Sequence, residues 1–391
     1  MTRLSSEAEI LDFVRTARDK REPFEIVAGG TRRGAGRPIA GEGGKPLPVL
    51  DVSRVSGIVE YQPEELIVTA RPGTTLTELK AVLAEKNQCL GFDPVQWTLF
   101  GGGGNATLGG AMSADASGPG RLRFGPARDS LLGFRAVNGF GEAFRGGAKV
   151  VKNVTGFDLP KLVCGAFGTL MVLSELTFRV YPRPLARATL MVRDQKSETG
   201  FALLRAIWKS ALEPSGLSYI PGGIPGGTKF PQAGEIGAGA ALIRFEAAEK
   251  PLAEKLAAAR LLLGGGEEIA EGEAIFAAIG EGAIFNTSEL DVWRVSLPPA
   301  AAAGVAKALA SPLWQGDWAG GLLWIGAKGE EASRIRAIAA EAGGHAMLLR
   351  APAARRAALG LYPPQPPALK ELATRVRAAF DPLGLFNPGR L

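Results

Sequence analysis

A predicted strand over residues 23–28 runs without a spacer into a loop in which half of the residues are glycine. This loop, residues 29–36, reads Gly-Gly-Thr-Arg-Arg-Gly-Ala-Gly. Glycines allow consecutive backbone amides to point into one concavity, where they can bind phosphate oxygens. Thr31 adds a hydroxyl, and Arg32 and Arg33 add positive charge suited to a diphosphate. The alternative is a flexible surface turn, which this segment alone does not exclude.

A second loop, residues 107–120, consists almost entirely of small residues. Small side chains allow a planar ring to lie against the main chain, where N–H donors reach its heteroatoms. The alternative is a tight packing corner, but such a corner seldom needs so many small residues in succession, so a ligand site is favoured. Arg121 and Arg128 follow as candidates for a diphosphate contact or for buried pairing, whereas Arg123 is equally well explained as a solvated charge.

A polar turn over residues 152–158 is the third candidate segment. Lys152 can place positive charge beside an electron-rich ring. Asp158 is predicted to cap the short helix that follows it, so part of this pattern is structural.

Neither of the two common nucleotide-binding motifs is supported by its sequence context. No Gly-x-x-x-x-Gly-Lys-[Ser/Thr] segment occurs, so a P-loop is excluded. Residues 101–106 match the dinucleotide pattern Gly-x-Gly-x-x-Ala. However, they follow residues 97–100 rather than a clear strand, and no βαβ unit follows them. We interpret this match as chance and expect no Rossmann site.

The rarest residue types exclude several classes of enzyme. The chain has one histidine, His345, and two cysteines, Cys89 and Cys164. These cannot form a Cys/His zinc site or a secreted disulfide framework, and a Ser-His-Asp enzyme would depend on His345 alone. The net charge of +6 is spread along the chain without the basic and aromatic runs of a nucleic-acid groove, so no nucleic acid is expected. A mild positive charge suits an anionic cofactor or small molecule.

The sequence gives no sign of insertion into a membrane. The N-terminal segment becomes acidic before any apolar run appears, which predicts no signal peptide. The longest nearly uncharged apolar stretch, residues 162–174, has 13 residues and is too short to cross a bilayer. We therefore expect a cytoplasmic protein.

The length of 391 residues predicts two or three domains. Capping boxes at Ser6 and Thr75 predict two helices, and Asp158 begins a short third one. The pair of prolines at 182 and 184 marks a domain boundary, giving a first domain over residues 1–184. The strands predicted in this part are 23–28, 47–52, 58–61, 66–71, a hairpin within 131–145, and 170–181.

The second half changes character, because alanine-rich helices alternate there with strands. This pattern predicts a second domain over residues 185–370, built as a small sheet with helices on one face. Residues 221–235 are rich in proline and glycine and are expected to form a mobile loop. A stiff connector over 363–367 precedes a last helix, 368–380, and residues 371–391 form a tail. The elements predicted here are helices 198–210, 252–263, 300–309 and 331–342 and strands 240–246, 292–296, 322–326 and 345–349.

Taken in order, four segments resemble the FAD-linked oxidases that carry a vanillyl-alcohol-oxidase-like (PCMH-type) FAD-binding domain. The resemblance implies an α+β protein, with a PCMH-type two-subdomain FAD-binding fold followed by a ferredoxin-like α+β cap. Within that family, residues 152–159, Gly344-His345 and the short C-terminal half are similar to the E subunits of bacterial glycolate oxidases. The four segments are 27–31, 107–129, 165–170 with the strand that ends at Tyr181-Pro182, and 380–390.

The resemblance also implies which residues bind the cofactor. The tail, in relatives, returns to the edge of the flavin. The implied residues are Ala28, Gly29, Gly30, Thr31, Arg32, Arg33 and Gly34 for the pyrophosphate; Thr107, Gly109, Gly110, Ser113 and Ser117 for the flavin and diphosphate; Gly168 and Val172 for main-chain contact; and Asn387 in the tail.

Departures from the family pattern refine this picture. Relatives with covalent flavin attach it through His or Cys in these loops, and neither is present there, so FAD should be non-covalent. Met171 stands where the family usually has glycine, which is expected to alter packing around the adenine. Larger D-lactate and glycolate dehydrogenases carry a histidine-rich cluster for substrate and metal, whereas this chain has only His345, and we expect no metal. His345 is a candidate general base, and a structural histidine on a strand is the alternative.

By resemblance, the chain is an FAD-binding subunit that oxidises glycolate, a small 2-hydroxy acid, to glyoxylate. Its expected partners are a larger catalytic flavoprotein subunit and an iron–sulfur subunit. Two cysteines cannot ligate a cluster, so electrons must leave through a partner, and any contact with the inner membrane would be peripheral and made through partners. Two alternatives stay open. One is a self-sufficient dehydrogenase using arginine and Lys152 for the carboxylate, with His345 or an aspartate as base. The other is a non-catalytic assembly subunit in which FAD is structural or absent.

Overall fold

The computed structural model describes residues 1–100, 104–148, 157–224, 230, 234 and 236–391. Besides short 3-10 turns, the N-terminal half contains ten strands and six helices among these residues. They are β1 Thr2–Arg3, α1 Glu7–Lys20, β2 Glu25–Val27, β3 Val49–Asp51, β4 Ile58–Gln62, β5 Ile67–Ala70, α2 Leu76–Ala84, β6 Gln88–Cys89, α3 Leu108–Ser113, α4 Arg121–Phe124, α5 Ala127–Ser130, β7 Leu131–Val137, β8 Ala143–Gly147, α6 Leu159–Val163, β9 Val172–Arg179 and β10 Tyr181–Pro182.

The C-terminal half alternates strands and helices, as its sequence predicts. Its described elements are β11 Ala186–Val192, α7 Ser197–Lys209, β12 Gly216–Pro221, β13 Gly239–Ala247, α8 Glu249–Leu263, β14 Glu267–Glu268, α9 Gly272–Glu281, β15 Asp291–Ser296, α10 Ala302–Leu309, β16 Leu313–Asp317, β17 Leu322–Ala327, α11 Ala332–Glu341, β18 His345–Arg350, α12 Ala353–Leu359 and α13 Pro367–Phe380.

The helices predicted from capping boxes begin as expected. The Ser6 hydroxyl accepts a hydrogen bond from the Glu9 amide, and the Thr75 hydroxyl accepts one from the Glu78 amide. Each bond satisfies a donor that the first helical turn leaves free. The short helix predicted after Asp158 is confirmed as α6, and Asp158 is its N-cap residue. The predicted capping bond was wrong, because the Asp158 side chain, with φ −79° and ψ 67°, makes no capping hydrogen bond.

Two sheets organise the N-terminal half. A parallel sheet has the order β1-β3-β2, and an antiparallel sheet has the order β4-β5-β9-β7-β8. The predicted hairpin is confirmed as the β7–β8 pair. Ile10 and Val14 of α1 share a buried apolar cluster with Val137 and Val172, so this helix joins the two sheets. Ile26 and Ala28 pack against the same cluster, so the loop after β2 begins close to the start of β9.

The C-terminal half forms one eight-stranded antiparallel sheet, here called the cap sheet, in the order β14-β11-β13-β12-β16-β17-β15-β18. It is twice as wide as the four strands predicted, because β11, β12, β14 and β16 lack a clear alternating pattern and are fixed by pairing with distant strands. Helices α7, α8, α10 and α11 cover one face through residues such as Phe201 and Ile335. The other face packs against α9 and against Trp97 of the N-terminal half.

The chain end packs against the first strand region. The Phe24 amide donates to Leu385 O (2.8 Å), and the Asn387 amide donates to Phe24 O (3.1 Å). The rings of Phe24 and Phe386 are in edge contact, with centroids 5.5 Å apart. Since Phe24 leads directly into β2, the tail is held beside the glycine-rich loop that follows that strand.

Candidate functional site

An open cavity lies where β2, α3, the start of β9 and the C-terminal tail meet, and it encloses about 830 Å³ of empty space when the open solvent at its mouth is included. Its walls come from the first glycine-rich loop, the small-residue loop and residues around Gly168, together with the tail. The residues that form it are therefore far apart in sequence and adjacent only in the fold.

Four successive residues that line the cavity have backbone amides without an acceptor. The N–H groups of residues 29–32 donate no hydrogen bond to any described residue. Buried or partly buried amides are rarely left without an acceptor. Four such donors in succession suit anionic oxygens, as the glycine-rich sequence predicts.

Two glycines of the first loop have different roles. A Cβ atom at Gly29 would lie 1.8 Å from Asn105 O, so this glycine is required by the close approach of two backbones. Gly30 has φ +74°, and a Cβ there would meet only Arg33 Cδ, at 3.9 Å. A side chain at Gly30 would therefore project into open space in the cavity.

Two buried arginines line this cavity without a carboxylate partner. Arg32 donates to Val95 O (2.5 Å) and Arg390 donates to Arg32 O (2.7 Å). Burial lowers the pKa of each guanidinium to about 10, so both stay charged at neutral pH. The Arg32 Nε is buried and has no hydrogen-bond partner among the described residues. These two charges are available to an anionic ligand.

Arg33 is already neutralised. Its guanidinium donates to both carboxylate oxygens of Glu25, with Nε 2.9 Å from Oε1. The hydrogen bond to Glu25 raises the pKa of Arg33. Arg33 therefore lines the cavity as half of an ion pair rather than as a free cation.

The tail contributes to the wall of the cavity through the side chain of Asn387. Asn387 Oδ1 accepts a hydrogen bond from the Ile26 amide (2.8 Å), and its Nδ2 donates to Phe167 O (2.8 Å). A Cβ at Gly168, which has φ +68°, would lie 2.7 Å from Asn387 Nδ2. Gly168 is therefore needed where the tail crosses this wall.

The small-residue loop contributes the helix α3. The Thr107 hydroxyl caps it by accepting from the Gly110 amide (3.4 Å). A Cβ at Gly109 would lie 2.6 Å from Pro72 Cβ, and one at Gly110 would lie 3.4 Å from Arg32 Nη1. Small residues here allow α3 to approach both Pro72 and the Arg32 guanidinium.

Most of the predicted cofactor residues come together at this cavity. Those that line it are Ala28, Gly29, Gly30, Thr31, Arg32, Arg33, Thr107, Gly109, Gly110, Ser113, Gly168, Val172 and Asn387. Met171, noted for its departure from the family pattern, also lines it. Glu25 and Arg390 also line the cavity and were not predicted from the sequence. The positive charge of Arg390, near the end of the tail, could have marked it as a candidate for binding an anion.

Four predicted residues are not among those that line the cavity. Gly34 packs on Phe100, since a Cβ there would lie 3.1 Å from that side chain. The Ser117 hydroxyl accepts from the Ala127 amide (2.9 Å) and so begins α5. Arg121 stacks on Trp318, with its Cζ 4.5 Å from the ring centroid. The Arg128 side chain is half exposed, 3.9 Å from Asp129.

Of the two candidate catalytic residues, only His345 lies in the part of the chain that the structure describes. Lys152 lies outside the described residues. His345 begins the edge strand β18 and is exposed, and it is not among the residues that line the cavity. Its pKa is lowered by desolvation and by the positive charge of Arg294. Within the described parts of the chain, no group of three or more His, Cys, Asp or Glu side chains is placed to hold a metal.

Comparison with known proteins decides the family. A model described as "FAD binding domain" matches residues 2–147. Glycolate oxidase subunit GlcE of Escherichia coli K12 is 33% identical over 384 residues, which is 98% of this chain and 96% of that protein. The chain belongs to the GlcE family. Glycolate oxidase subunit GlcD of Bacillus subtilis is 26% identical to this GlcE-family chain, over 48% of the chain and 39% of GlcD.

Solved structures agree on the fold of this GlcE-family protein. p-Cresol methylhydroxylase with bound substrate aligns over all of the chain and 88% of its own, with a TM-score of 0.68 and 14% identity. The PCMH-type α+β fold predicted from sequence is therefore confirmed. The cavity fits FAD, because free amides and two unpaired arginines suit a diphosphate and the small residues of α3 suit a ring. This GlcE-family chain is an FAD-dependent oxidoreductase.

Proposed function

We propose that this chain is the FAD-binding subunit of a glycolate oxidase complex, in which it oxidises glycolate or a similar small 2-hydroxy acid and passes the electrons to a partner subunit. The observation that carries the proposal is similarity to a glycolate oxidase subunit along nearly the whole of both chains. The amides of residues 29–32 support it, because successive donors without an acceptor among the described residues suit the diphosphate of FAD.

Different residues of the cavity would bind different parts of FAD. The amides of residues 29–32 would hold the diphosphate together with Arg32 and Arg390. Asn387 would fix the wall formed by the tail, and the glycines of α3 would let a ring lie against the backbone. The bound flavin would accept a hydride from the carbon that carries the hydroxyl. Because the described lining includes no His or Cys, we propose that FAD is held without a covalent bond.

We propose that the chain is divided into three parts that serve this function. Residues 1–184 would bind FAD, residues 185–370 would form the cap, and residues 371–391 would return to the first part. The tail supports this division through the hydrogen bonds between Phe24 and residues 385 and 387.

Electrons would have to leave this chain through a partner. The sequence contains only two cysteines, and an iron–sulfur cluster needs four ligands of that type. We therefore propose an iron–sulfur subunit and a larger flavoprotein subunit as partners. No helix in the described parts of the chain is long and apolar enough to cross a membrane, and we propose a cytoplasmic complex with peripheral membrane contact through partners.

The test is anaerobic addition of glycolate to the purified chain, alone and then with its partner subunits, while the visible flavin spectrum is recorded. The expected result is loss of the flavin absorbance, with faster reoxidation by an external acceptor when the partners are present. An unchanged spectrum in both preparations would reject the proposal in favour of an assembly role. Full turnover by the lone chain, unaffected by partners, would instead support a self-sufficient dehydrogenase.

A further inference from the structure

Arg294 is a buried cation at the contact between the cap sheet and the N-terminal half. It lies on β15 and is 8% exposed. Its Cζ is 5.5 Å from the ring centroid of Trp97 and 5.3 Å from those of Trp318 and Trp324. These three residues are called here the tryptophan cluster. Indole rings attract a guanidinium through their faces, so they can hold this side chain in place.

No acceptor in the described parts of the chain pairs with this guanidinium. Arg294 makes no hydrogen bond or ion pair there, and its Nε is buried without a partner. By contrast, the buried Arg244 pairs with Asp93 at 2.6 Å, and the half-buried Arg350 donates to four carbonyl oxygens. Asp115 and Asp317 interact electrostatically with Arg294, but neither forms a hydrogen bond or an ion pair with it. A buried guanidinium whose donors have no acceptor is costly, so its presence points to an anionic acceptor that is not part of the chain.

The indoles add further unused donors. The Nε1 atoms of Trp97 and Trp324 are buried and have no hydrogen-bond partner among the described residues. Trp318 differs, since its Nε1 donates to Gly118 O (3.2 Å). Two indole N–H groups and the Arg294 guanidinium therefore belong to one cluster that is rich in donors and lacks acceptors.

This cluster adjoins the cofactor cavity. Arg32, which lines the cavity, has its Cζ 5.3 Å from the centroid of the same Trp97 ring that Arg294 approaches. Ala114 lines the cavity, and the next residue, Asp115, interacts electrostatically with Arg294. A ligand bound at Arg294 would thus lie close to the cofactor.

Two arginines approach the tryptophan cluster from different halves of the molecule. Burial and the charge of Arg121 lower the pKa of Arg294, whereas the charges of Asp115 and Asp317 raise it. Arg121 approaches the ring of Trp318, with its Cζ 4.5 Å from the ring centroid. The donors that an anion could use therefore come from both the N-terminal half and the cap sheet.

We propose that Arg294 binds the carboxylate of the 2-hydroxy acid and that the tryptophan cluster forms the walls of this subsite. The proposal rests on the proposed function and assigns its substrate contact. A planar guanidinium can hold a carboxylate through two parallel hydrogen bonds, which fixes the orientation of the acid. The rigid indoles would keep water away from the guanidinium–carboxylate pair. Arg294 would then be the positive charge that balances the carboxylate.

The test is calorimetric titration of the full flavin-loaded chain with oxalate, a two-carbon dicarboxylate with no C–H bond to oxidise. Wild type is expected to bind oxalate, with a change in tryptophan fluorescence. Arg294→Gln should weaken binding on the order of 10- to 100-fold, because it removes the charge and the paired donors. Arg294→Lys keeps the charge but not the planar fork, and should weaken binding to a smaller extent.

The matched control is Arg179→Gln, which removes another stacked arginine, with Cζ 4.9 Å from the Tyr181 ring centroid. Oxalate affinity should be unchanged in this variant. If Arg294→Gln does not fold, the oxalate affinity of Arg294→Lys is the test. An affinity equal to that of wild type in Arg294→Lys would reject the proposal. Failure of wild type to bind oxalate, or wild-type affinity in Arg294→Gln, would also reject it.

A second measurement separates this subsite from the proposed oxidation. Flavin reduction by glycolate at the wild-type rate in Arg294→Gln would reject the subsite and leave the oxidation in place. Oxalate binding that depends on Arg294, in a chain whose flavin glycolate never reduces, would support the subsite and reject the oxidation.

Discussion

The side chain of Asn387 accepts a hydrogen bond from the backbone amide of Ile26, 361 positions earlier in the chain. The same side chain donates to Phe167 O, so one amide group joins the tail, the strand before the glycine-rich loop and the approach to β9. The geometry of the cofactor cavity therefore depends on the last residues of the chain.

Asn387→Ala is expected to destabilise the protein and weaken FAD binding. It leaves the Ile26 N–H and the Phe167 carbonyl without partners, which should lower the free energy of unfolding by about 2–4 kcal/mol. Urea unfolding and flavin content measure the two effects. Gln365→Ala is the control, because Gln365 is exposed and, among the described residues, its side chain donates to the nearby Pro363 O. Stability and flavin content equal to wild type in Asn387→Ala would contradict this role of the tail.

Gly30→Val is expected to yield a folded chain without FAD. The new side chain would project into the cavity, while the positive φ costs on the order of 1–3 kcal/mol. Gly264→Val has nearly the same strain, with φ +70° and no atom within 4 Å, but lies at the end of α8. The control should keep its flavin, as judged by absorbance after gel filtration. Equal flavin content in both variants would show that residues 29–32 do not bind the diphosphate.

Asp317→Asn is expected to change how stability depends on pH. Burial raises the pKa of Asp317 to about 7, against the hydrogen bond from Ser218 and the charges of Arg244 and Arg294. The folded state therefore binds a proton that the unfolded state has released, and wild type should lose stability as pH rises from about 4 to about 7. Asp317→Asn keeps an oxygen that can accept the hydrogen bond from the Ser218 hydroxyl. Because its amide does not titrate, the variant should not lose stability over this pH range. Melting temperatures across that range measure the difference, and parallel curves would refute the assignment.

Both thiols are expected to react slowly in the native protein. Burial raises the pKa of Cys89 to about 11 and also raises that of Cys164. The thiolate is the reactive form, so iodoacetamide at about pH 8 should label neither residue readily until urea is added. Mass spectrometry of the labelled chain measures this. Rapid labelling of either cysteine in the folded chain would show that its surroundings are different from those described.

Features that depend on local sequence were predictable. Ser6 and Thr75 cap their helices as their capping boxes indicate, because the donor and acceptor are three residues apart. The glycine-rich loop was recognised for a similar reason, since a strand followed by glycines restricts the backbone over a few residues.

Features that depend on distant contacts were not predictable. Nothing near Arg390 shows that it will meet Arg32 O, 358 positions away. Ser117 carries the same small-residue signal as Ser113, yet its hydroxyl is taken by the Ala127 amide, ten positions along the chain. The width of the cap sheet follows from pairings such as β12 with β16, which join strands about a hundred residues apart.

The most direct test of this account is the flavin content of the purified chain before and after acid precipitation. A non-covalent FAD site predicts a visible flavin spectrum in the native protein, about one FAD per chain, and all of the flavin in the supernatant after precipitation. A purified chain that has no flavin, and binds none when FAD is added, would contradict the central claim. Flavin that stays with the precipitated protein would contradict the non-covalent site.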